Sequence, residues 1–209
     1  MCMMFFAAMI PELTLLLEAA LRSELYGQMK SVLARPMSLT GEIRPTDGAA
    51  VIAPNKDGRC AVYPMVWGFR TEGKTSPVIN ARIETAASKP MFRESWARRR
   101  CVIPAVNYFE WEHYVTPDGK RKTGSRFAIK PAGQAVTYLA GLYRFEEKQG
   151  LRYPVFTVLT KEPSAQIRGI HDRMPVILPG SAVAAWTDPA GDPIEISKQA
   201  LADMEIRKA

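Results

Sequence analysis

Cysteine and histidine are scarce in this chain of 209 residues, which has three cysteines and two histidines. Cys2, Cys60 and Cys101 form no C-x-x-C pair, and together with His113 and His171 they show no zinc-binding spacing. The sequence therefore predicts no metal site and no cofactor. An odd and sparse set of cysteines also argues against a disulfide framework and favours a reducing compartment. We accordingly expect a cytoplasmic protein.

Long apolar runs are also missing. The first ten residues are apolar, but Pro11 and Glu12 follow directly, and the first basic residue is Arg22. A signal peptide begins with a positively charged segment, and a transmembrane helix needs about 20 apolar residues. We therefore expect no membrane segment, and we interpret the start of the chain as a buried strand.

Motifs of two common enzyme classes are absent. The chain has neither a G-x-G-x-x-G nor a G-x-x-x-x-G-K-[ST] loop for phosphate groups, and it has no G-x-S-x-G turn for a nucleophilic serine. These absences argue against nucleotide-driven chemistry and against a serine hydrolase.

The composition is that of an ordinary globular protein, with 47% hydrophobic and 23% charged residues. Lysine and arginine outnumber aspartate and glutamate by 28 to 21, which gives a net charge of +7. A basic excess of this size favours a polyanionic partner. The length suits one domain, and we find no repeat or linker, so we predict a single domain over residues 1–209.

Hydrophobic periodicity predicts an α+β fold with an antiparallel, β-rich core. Apolar residues at helical spacing predict helices, and short apolar runs between turn residues predict strands. The predicted helices cover residues 11–33, 82–96 (interrupted at Pro90), 181–186 and 196–204; the predicted strands include 49–53, 59–67, 127–130, 136–143 and 153–159, with hairpin turns at 55–58 and 117–120.

Cys2 follows the initiator methionine, and a small second residue favours removal of Met1. The mature chain would then begin with a cysteine, which holds an α-amine and a thiol on adjacent carbons. Their ordinary pKa values are about 7.7–8.0 and about 8.5, so both groups have reactive fractions near neutral pH. An aldehyde would form a Schiff base with the amine, and the thiolate would close a five-membered thiazolidine on the imine carbon.

Three polar residues lie within apolar surroundings, namely Asn80, Glu110 and His171. Such positions are unfavourable unless the polar group is hydrogen-bonded or used in chemistry. Glu110 is flanked by aromatic residues, so it is either a general acid and base with a raised pKa or a solvent-facing residue beside Glu112. His171 is either a hydrogen-bonded structural residue or a functional one.

Taken together, these residues resemble the SOS response-associated peptidase (SRAP) family. Four motifs occur in the family's order, and they span most of the chain. They are Met1-Cys2, NARIET at residues 80–85, RCVIPA at 100–105 with YFEW at 108–111, and HDRMP at 171–175.

The resemblance implies a SRAP-like single domain, with an antiparallel, barrel-like core and flanking helices. It also implies a sensor of abasic sites in single-stranded DNA. Cys2 would form a thiazolidine with the ring-opened deoxyribose aldehyde, giving a covalent DNA–protein crosslink with lyase-like character. Asn80 would orient the amine and the sugar, Glu110 would act as general acid and base, and His171 would assist proton transfer. The family name reflects a proposed self-cleavage that exposes Cys2.

On this reading, the excess of basic residues would bind the phosphate groups of the DNA. By resemblance, Arg82 would contact a DNA phosphate, and Arg100 and Thr160 are further DNA-binding candidates. Trp67 and Trp111 would stack on unpaired bases, unless both are core aromatics. We expect binding of single-stranded DNA by a monomer, associated with the nucleoid during DNA damage.

The start of the chain departs from the family pattern. The family usually has Gly-Arg after Cys2, where this chain has Met3 and Met4. Met4 therefore removes a positive charge expected near the DNA. Two other functions stay open at this point: a cysteine peptidase or amidase that uses Cys2 and His171, and a non-catalytic binder of single-stranded DNA.

Overall fold

The computed structural model describes residues 4–33 and 37–209, so Cys2 and Met3 lie outside the described residues. The helices are α1 Pro11–Leu21, α2 Glu24–Leu33, α3 Ile83–Ala86, α4 Pro90–Arg98, α5 Val183–Thr187 and α6 Pro193–Ser197. The strands are β1 Met4–Ala7, β2 Gly41–Ile43, β3 Gly48–Pro54, β4 Cys60–Trp67, β5 Asn80–Arg82, β6 Arg100–Ala105, β7 Asn107–Val115, β8 Arg121–Pro131, β9 Thr137–Lys148, β10 Leu151–Lys161, β11 Met174–Pro175, β12 Ile177–Leu178 and β13 Met204–Lys208.

Five strands close into a ring, in the order β10, β4, β3, β6, β9 and back to β10. The β10–β4 pairing is parallel, and the other four pairings are antiparallel. Closure leaves the ring strands without open edges, which removes a site of unwanted strand pairing. The predicted α+β fold with an antiparallel, barrel-like core is therefore confirmed.

A second, antiparallel sheet packs against the ring, with strand order β13, β8, β7, β1, β2. Phe5, Tyr108 and Ile129 from this sheet are fully buried in one cluster with Trp67 and Phe156 from the ring. The main core therefore lies between the two sheets. Another cluster joins the ring to side chains of α2, α4 and α5, so helices cover other parts of the ring.

Two predicted helices differ from the structure. The segment 11–33 forms two helices, because Ser23 ends the first by donating its hydroxyl to the Ala20 carbonyl at 2.7 Å and accepts from the backbone N–H of Tyr26 at 3.2 Å. Residues 196–204 do not form one helix, because α6 ends at Ser197 and the chain turns into β13, which pairs with β8. In both places, local hydrogen bonds or strand pairing override apolar periodicity.

The described helices are short, and α1, with 11 residues, is the longest of them. Within residues 4–33 and 37–209, no helix is long and apolar enough to cross a membrane. The predicted first strand is confirmed as β1, which is almost entirely buried against β7 and β2.

Candidate active site

Glu110 lies in the middle of β7, an interior strand of the second sheet. Its side chain shares a face of the strand with the buried Tyr108, and Glu110 itself is only 2% exposed. The alternative of a solvent-facing carboxylate is therefore wrong. Burial raises the pKa of Glu110 from its ordinary value, because removal from water disfavours the charged carboxylate.

His171 lies opposite Glu110, on the segment that connects β10 to β11. The backbone N–H of His171 donates to the Ile167 carbonyl at 3.0 Å, which forms a turn, and the N–H of His113 on β7 donates to the Ile170 carbonyl at 3.2 Å. These bonds attach the turn to β7. As a result, His171 Nε2 lies 3.9 Å from Glu110 Oε1.

The other imidazole nitrogen of His171 has two neighbours. The Arg173 backbone N–H donates to Nδ1 at 3.0 Å, and Asp172 Oδ1 lies 2.8 Å from the same nitrogen. Burial lowers the pKa of His171, and the Asp172 carboxylate opposes part of that shift. A neutral imidazole near neutral pH can both donate and accept a proton, which suits it to proton transfer with Glu110.

A cavity of about 670 Å³ opens beside His171 and brings together several predicted site residues. The parallel pairing of β5 with β10 sets Asn80 opposite Val158 and Arg82 opposite Thr160. Because β10 leads into the turn that carries His171, the side chains from β5 and from that turn line one space. The lining includes Asn80, Arg82, Lys89, Thr160, His171 and Arg173.

Thr160 and Arg173 form the inner wall of this cavity. Thr160 is 1% exposed, and its hydroxyl donates to the Ala81 carbonyl at 3.4 Å. Arg173 donates to both carboxylate oxygens of Glu84, at 2.8 and 2.9 Å, and to the Thr160 carbonyl at 2.7 Å. Arg173 therefore links the start of β11 to α3 and β10. Sequence reasoning missed this role, although Arg173 lies within the HDRMP motif.

Trp67 does not lie where DNA could reach it. Its side chain is fully buried, its indole N–H donates to the Ile79 carbonyl at 2.9 Å, and its ring stacks on Phe156 with a centroid separation of 6.0 Å. The expectation that Trp67 stacks on a base is corrected to a core role.

Arg100 is also a structural residue, with 2% exposure. The expectation that it binds DNA is corrected, because its guanidinium is used within the protein and holds the end of α4 and the α5–α6 region together. It donates to five backbone carbonyls, those of Trp96, Ala97, Trp186, Asp188 and Gly191.

Trp111 and Arg82 remain accessible. Trp111 follows Glu110 on β7 and is half-buried, and the Arg126 guanidinium lies 5.6 Å from the centre of one of its rings. Arg82 is exposed at the cavity mouth. Both positions are compatible with contacts to a nucleic acid, which stay predictions.

The fold also creates a cluster that the sequence did not indicate. Glu110, His113 and His171 each offer one metal-ligating atom, and these atoms lie within 4.8 Å of one another. The prediction that no metal site exists rested on spacing along the chain. Spacing along the chain cannot detect this cluster, because β7 and the turn before β11 are distant in sequence and adjacent in space.

Together, the closed ring, the second sheet and the buried glutamate–histidine pair define a two-sheet α+β protein with a candidate site at Glu110 and His171. The family model described as "SOS response associated peptidase (SRAP)" matches residues 13–208. The chain therefore belongs to the SRAP family, which confirms the resemblance drawn from its motifs.

Curated relatives share parts of this sequence. The chain is 40% identical over 115 residues to the abasic site processing protein YoaM of Bacillus subtilis, covering 54% of this chain and 48% of that protein. It is 28% identical over 137 residues to the abasic site processing protein YedK of Escherichia coli, covering 65% and 59% respectively. The chain thus spans about half the length of the curated relatives it matches.

Solved structures share the fold at lower sequence identity. A protein from Bacteroides thetaiotaomicron superposes with a TM-score of 0.74 at 19% identity, covering 99% of this chain and 91% of that one. A protein from Bordetella bronchiseptica gives 0.71 at 21% identity, covering 100% and 99%. These similarities support the fold alone.

Proposed function

We propose that this protein captures abasic sites in single-stranded DNA by forming a thiazolidine between Cys2 and the sugar aldehyde, after removal of Met1. Membership of the SRAP family and relatives named for abasic site processing support the general activity. The structure supports it through one observation, which is the position of β1, the first described strand, beside Glu110.

The first described strand leads directly to the buried acid. Met4 pairs with Phe109 and Phe5 pairs with Tyr108, so β1 runs alongside β7 and its first described residue lies next to Glu110 in the sheet. Cys2 precedes Met4 by two residues. Two peptide units span at most about 7 Å, and this short reach supports the proposal that Cys2 acts together with Glu110.

The proposed reaction needs a proton donor and acceptor at the aldehyde. The α-amine adds to the carbonyl carbon of the ring-opened sugar, and a proton moves from nitrogen to oxygen to give a carbinolamine. Protonated Glu110 then donates a proton to the carbinolamine hydroxyl, which leaves as water, and the Glu110 carboxylate takes the remaining N–H proton to give the imine. The thiol then adds to the imine carbon: the carbon–sulfur bond forms, and the proton released from the thiol ends on the former imine nitrogen. The net reaction joins the two molecules with loss of one water.

Glu110 and His171 divide the proton transfers in this scheme. A buried glutamate with a raised pKa can hold the proton needed to expel water. His171 Nε2, at 3.9 Å from the carboxylate, can carry that proton to and from the open cavity. Asn80, which lines the same cavity, would orient the sugar.

The DNA strand would follow the basic mouth of the cavity. Arg82 and Lys89 lie there, and phosphate contacts of this type give affinity without reading base sequence. Trp111, the next residue after Glu110 on β7, offers a half-buried ring for an unpaired base. Recognition of the aldehyde and not of a base suits a lesion that can occur in any sequence.

The function is tested with purified protein whose N-terminus is verified and a single-stranded oligonucleotide bearing one abasic site. We expect a heat-stable conjugate with wild-type protein and none with Cys2→Ala. Cys60→Ala, which removes an exposed thiol on β4, is the matched control and should crosslink like wild type. Equal conjugate yields from Cys2→Ala and wild type would contradict the proposal. Peptide turnover that requires Cys2 and His171 without DNA would favour the amidase alternative.

A further inference from the structure

The two histidines of the chain lie together at the buried glutamate. The imidazole rings of His113 and His171 are 5.3 Å apart in an edge-to-face arrangement, and Glu110 completes a group whose ligand atoms lie within 4.8 Å of one another. We infer that Glu110, His113 and His171 form a binding site for a divalent transition-metal cation such as Zn²⁺. We further infer that metal binding inhibits the abasic-site reaction, and this second part rests on the proposed function.

The donor set matches the preference of zinc. Zn²⁺ binds imidazole nitrogen and carboxylate oxygen, and sites with two histidines and one glutamate leave a coordination position open. With metal–ligand bonds of about 2.0–2.1 Å, ligand atoms of a tetrahedral site are about 3.3 Å apart. The Nε2–Oε1 separation of 3.9 Å is already close to that value. His113 is exposed, so its side chain can move to close the remaining gap.

His113 reaches Glu110 beside a bulge in the pairing of β7 with β8. In a regular strand, residues 110 and 113 would point to opposite faces. Trp111 pairs with Arg126 and His113 with Thr123, so the extra residue of this bulge lies on β8, and such bulges increase the local twist of the paired strands. The backbone bond from His113 to Ile170 then fixes this part of β7 against the turn that carries His171.

His171 also has the partner that metal-binding histidines usually have. Asp172 Oδ1 lies 2.8 Å from Nδ1, where it can accept a proton from that nitrogen and leave the Nε2 lone pair directed at a metal. In the other tautomer, Nε2 carries the proton and Nδ1 accepts a hydrogen bond from the Arg173 backbone N–H at 3.0 Å. The same imidazole can therefore either transfer protons or bind a cation.

Proton transfer and metal binding at Glu110 and His171 exclude each other. In the proposed reaction, Glu110 and His171 act through the same oxygen and nitrogen lone pairs that a metal would occupy. A bound cation would therefore stop proton transfer and slow crosslinking in proportion to its occupancy, and a chelator would restore the rate.

Metal binding is tested without DNA, by calorimetric titration of chelator-treated, full-length protein with Zn²⁺. We expect one Zn²⁺ per chain, with an affinity at least tenfold lower in His113→Gln and unchanged in Cys60→Ala. Co²⁺ should give a visible spectrum of nitrogen and oxygen ligation without a thiolate charge-transfer band. Equal affinity of wild type and His113→Gln, loss of binding in Cys60→Ala, or a thiolate band would each overturn the site.

Inhibition is measured separately, as the ratio of crosslinking rates with and without Zn²⁺ for each variant. We expect at least a tenfold slowing in wild type that EDTA reverses, and a smaller ratio in His113→Gln at the same Zn²⁺ concentration. Identical ratios in the two proteins would overturn the inhibitory role. If no conjugate forms at all, the proposed function fails while the calorimetric result stands by itself.

Discussion

At the residue scale, the proposed mechanism depends on Glu110, whose carboxyl group is buried. Glu110→Gln keeps the shape of the side chain and removes the proton that the carboxyl group would donate. We expect the crosslinking rate to fall by about 100-fold or more, the usual contribution of general acid–base catalysis. Rapid-quench measurement of conjugate formation gives this rate.

Glu112→Gln is the matched control, because Glu112 lies on the same strand and is more exposed than Glu110. It should crosslink within about twofold of wild type, because its side chain lies beside Gly124 of β8 and has no part in the proposed proton transfer. An unchanged rate in Glu110→Gln, or an equal loss in both variants, would remove Glu110 from the proposed mechanism.

Arg100 is predicted to support stability and not DNA binding. Arg100→Met leaves buried carbonyls without their donor, at about 1–3 kcal/mol for each group that stays unsatisfied. We expect a loss of about 3 kcal/mol in the free energy of unfolding, measured by urea denaturation, with unchanged affinity of the folded protein for DNA. Arg98→Met, at an exposed position near the end of α4, should change stability by less than about 0.5 kcal/mol. Equal stability of the two variants would contradict the structural role.

At the element scale, closure of the ring depends on close packing at Gly141 in β9. A Cβ atom there would lie 2.7 Å from Ile103 Cδ1 and 2.8 Å from the Thr157 carbonyl oxygen. Gly141→Ala should therefore destabilise the protein by about 1–3 kcal/mol, the usual effect of overpacking. Gly27→Ala in α2, where an added Cβ meets nothing within 4 Å, should be neutral or stabilising. Thermal unfolding of the two variants measures this difference. A Gly141→Ala protein as stable as wild type would contradict the close packing of β9 at Gly141 against Ile103 and Thr157.

The sequence predicted most strands of the ring and the β7–β8 hairpin of the second sheet. Turn residues such as Gly58, between β3 and β4, and Gly119, between β7 and β8, mark hairpins with positive φ angles of 77° and 79°. It predicted α3 and α4 through the break at Pro90. It did not predict β13, because a short segment is a strand only when β8 supplies its partner. Pairings between distant segments leave no periodic signal in the chain.

For the candidate site, too, the sequence predicted individual residues but not how they come together. Motifs identified Asn80, Glu110 and His171 one by one, whereas their grouping depends on how β5, β7 and the turn before β11 meet. Trp67 and Arg100 were misassigned because an aromatic ring and a guanidinium suit either a core or a DNA surface, and burial decides between them. His113 was missed because its proximity to Glu110 and His171 depends on the contact between β7 and the turn before β11.

At the scale of the whole molecule, the net charge of +7 should make DNA binding depend on salt. For single strands, the slope of log K against log salt is about −0.7 for each phosphate neutralised. Arg82→Ala should weaken binding to undamaged single-stranded DNA and make this slope less steep by about 0.7. Arg59→Ala, at the exposed hairpin between β3 and β4, is the control and should leave the slope unchanged. Fluorescence anisotropy over a salt series measures both, and identical slopes for Arg82→Ala and wild type would exclude a phosphate contact at Arg82.

The most direct measurement of the proposed crosslink is mass spectrometry of the digested conjugate, formed with abasic single-stranded DNA in the absence of borohydride. A simple lysine Schiff base needs reduction to survive digestion, whereas a thiazolidine does not. We expect the sugar remnant on a peptide that begins at Cys2, with Met1 absent. A remnant on a lysine, a conjugate that survives only after reduction, or a crosslinked peptide that still carries Met1 would contradict the proposed chemistry.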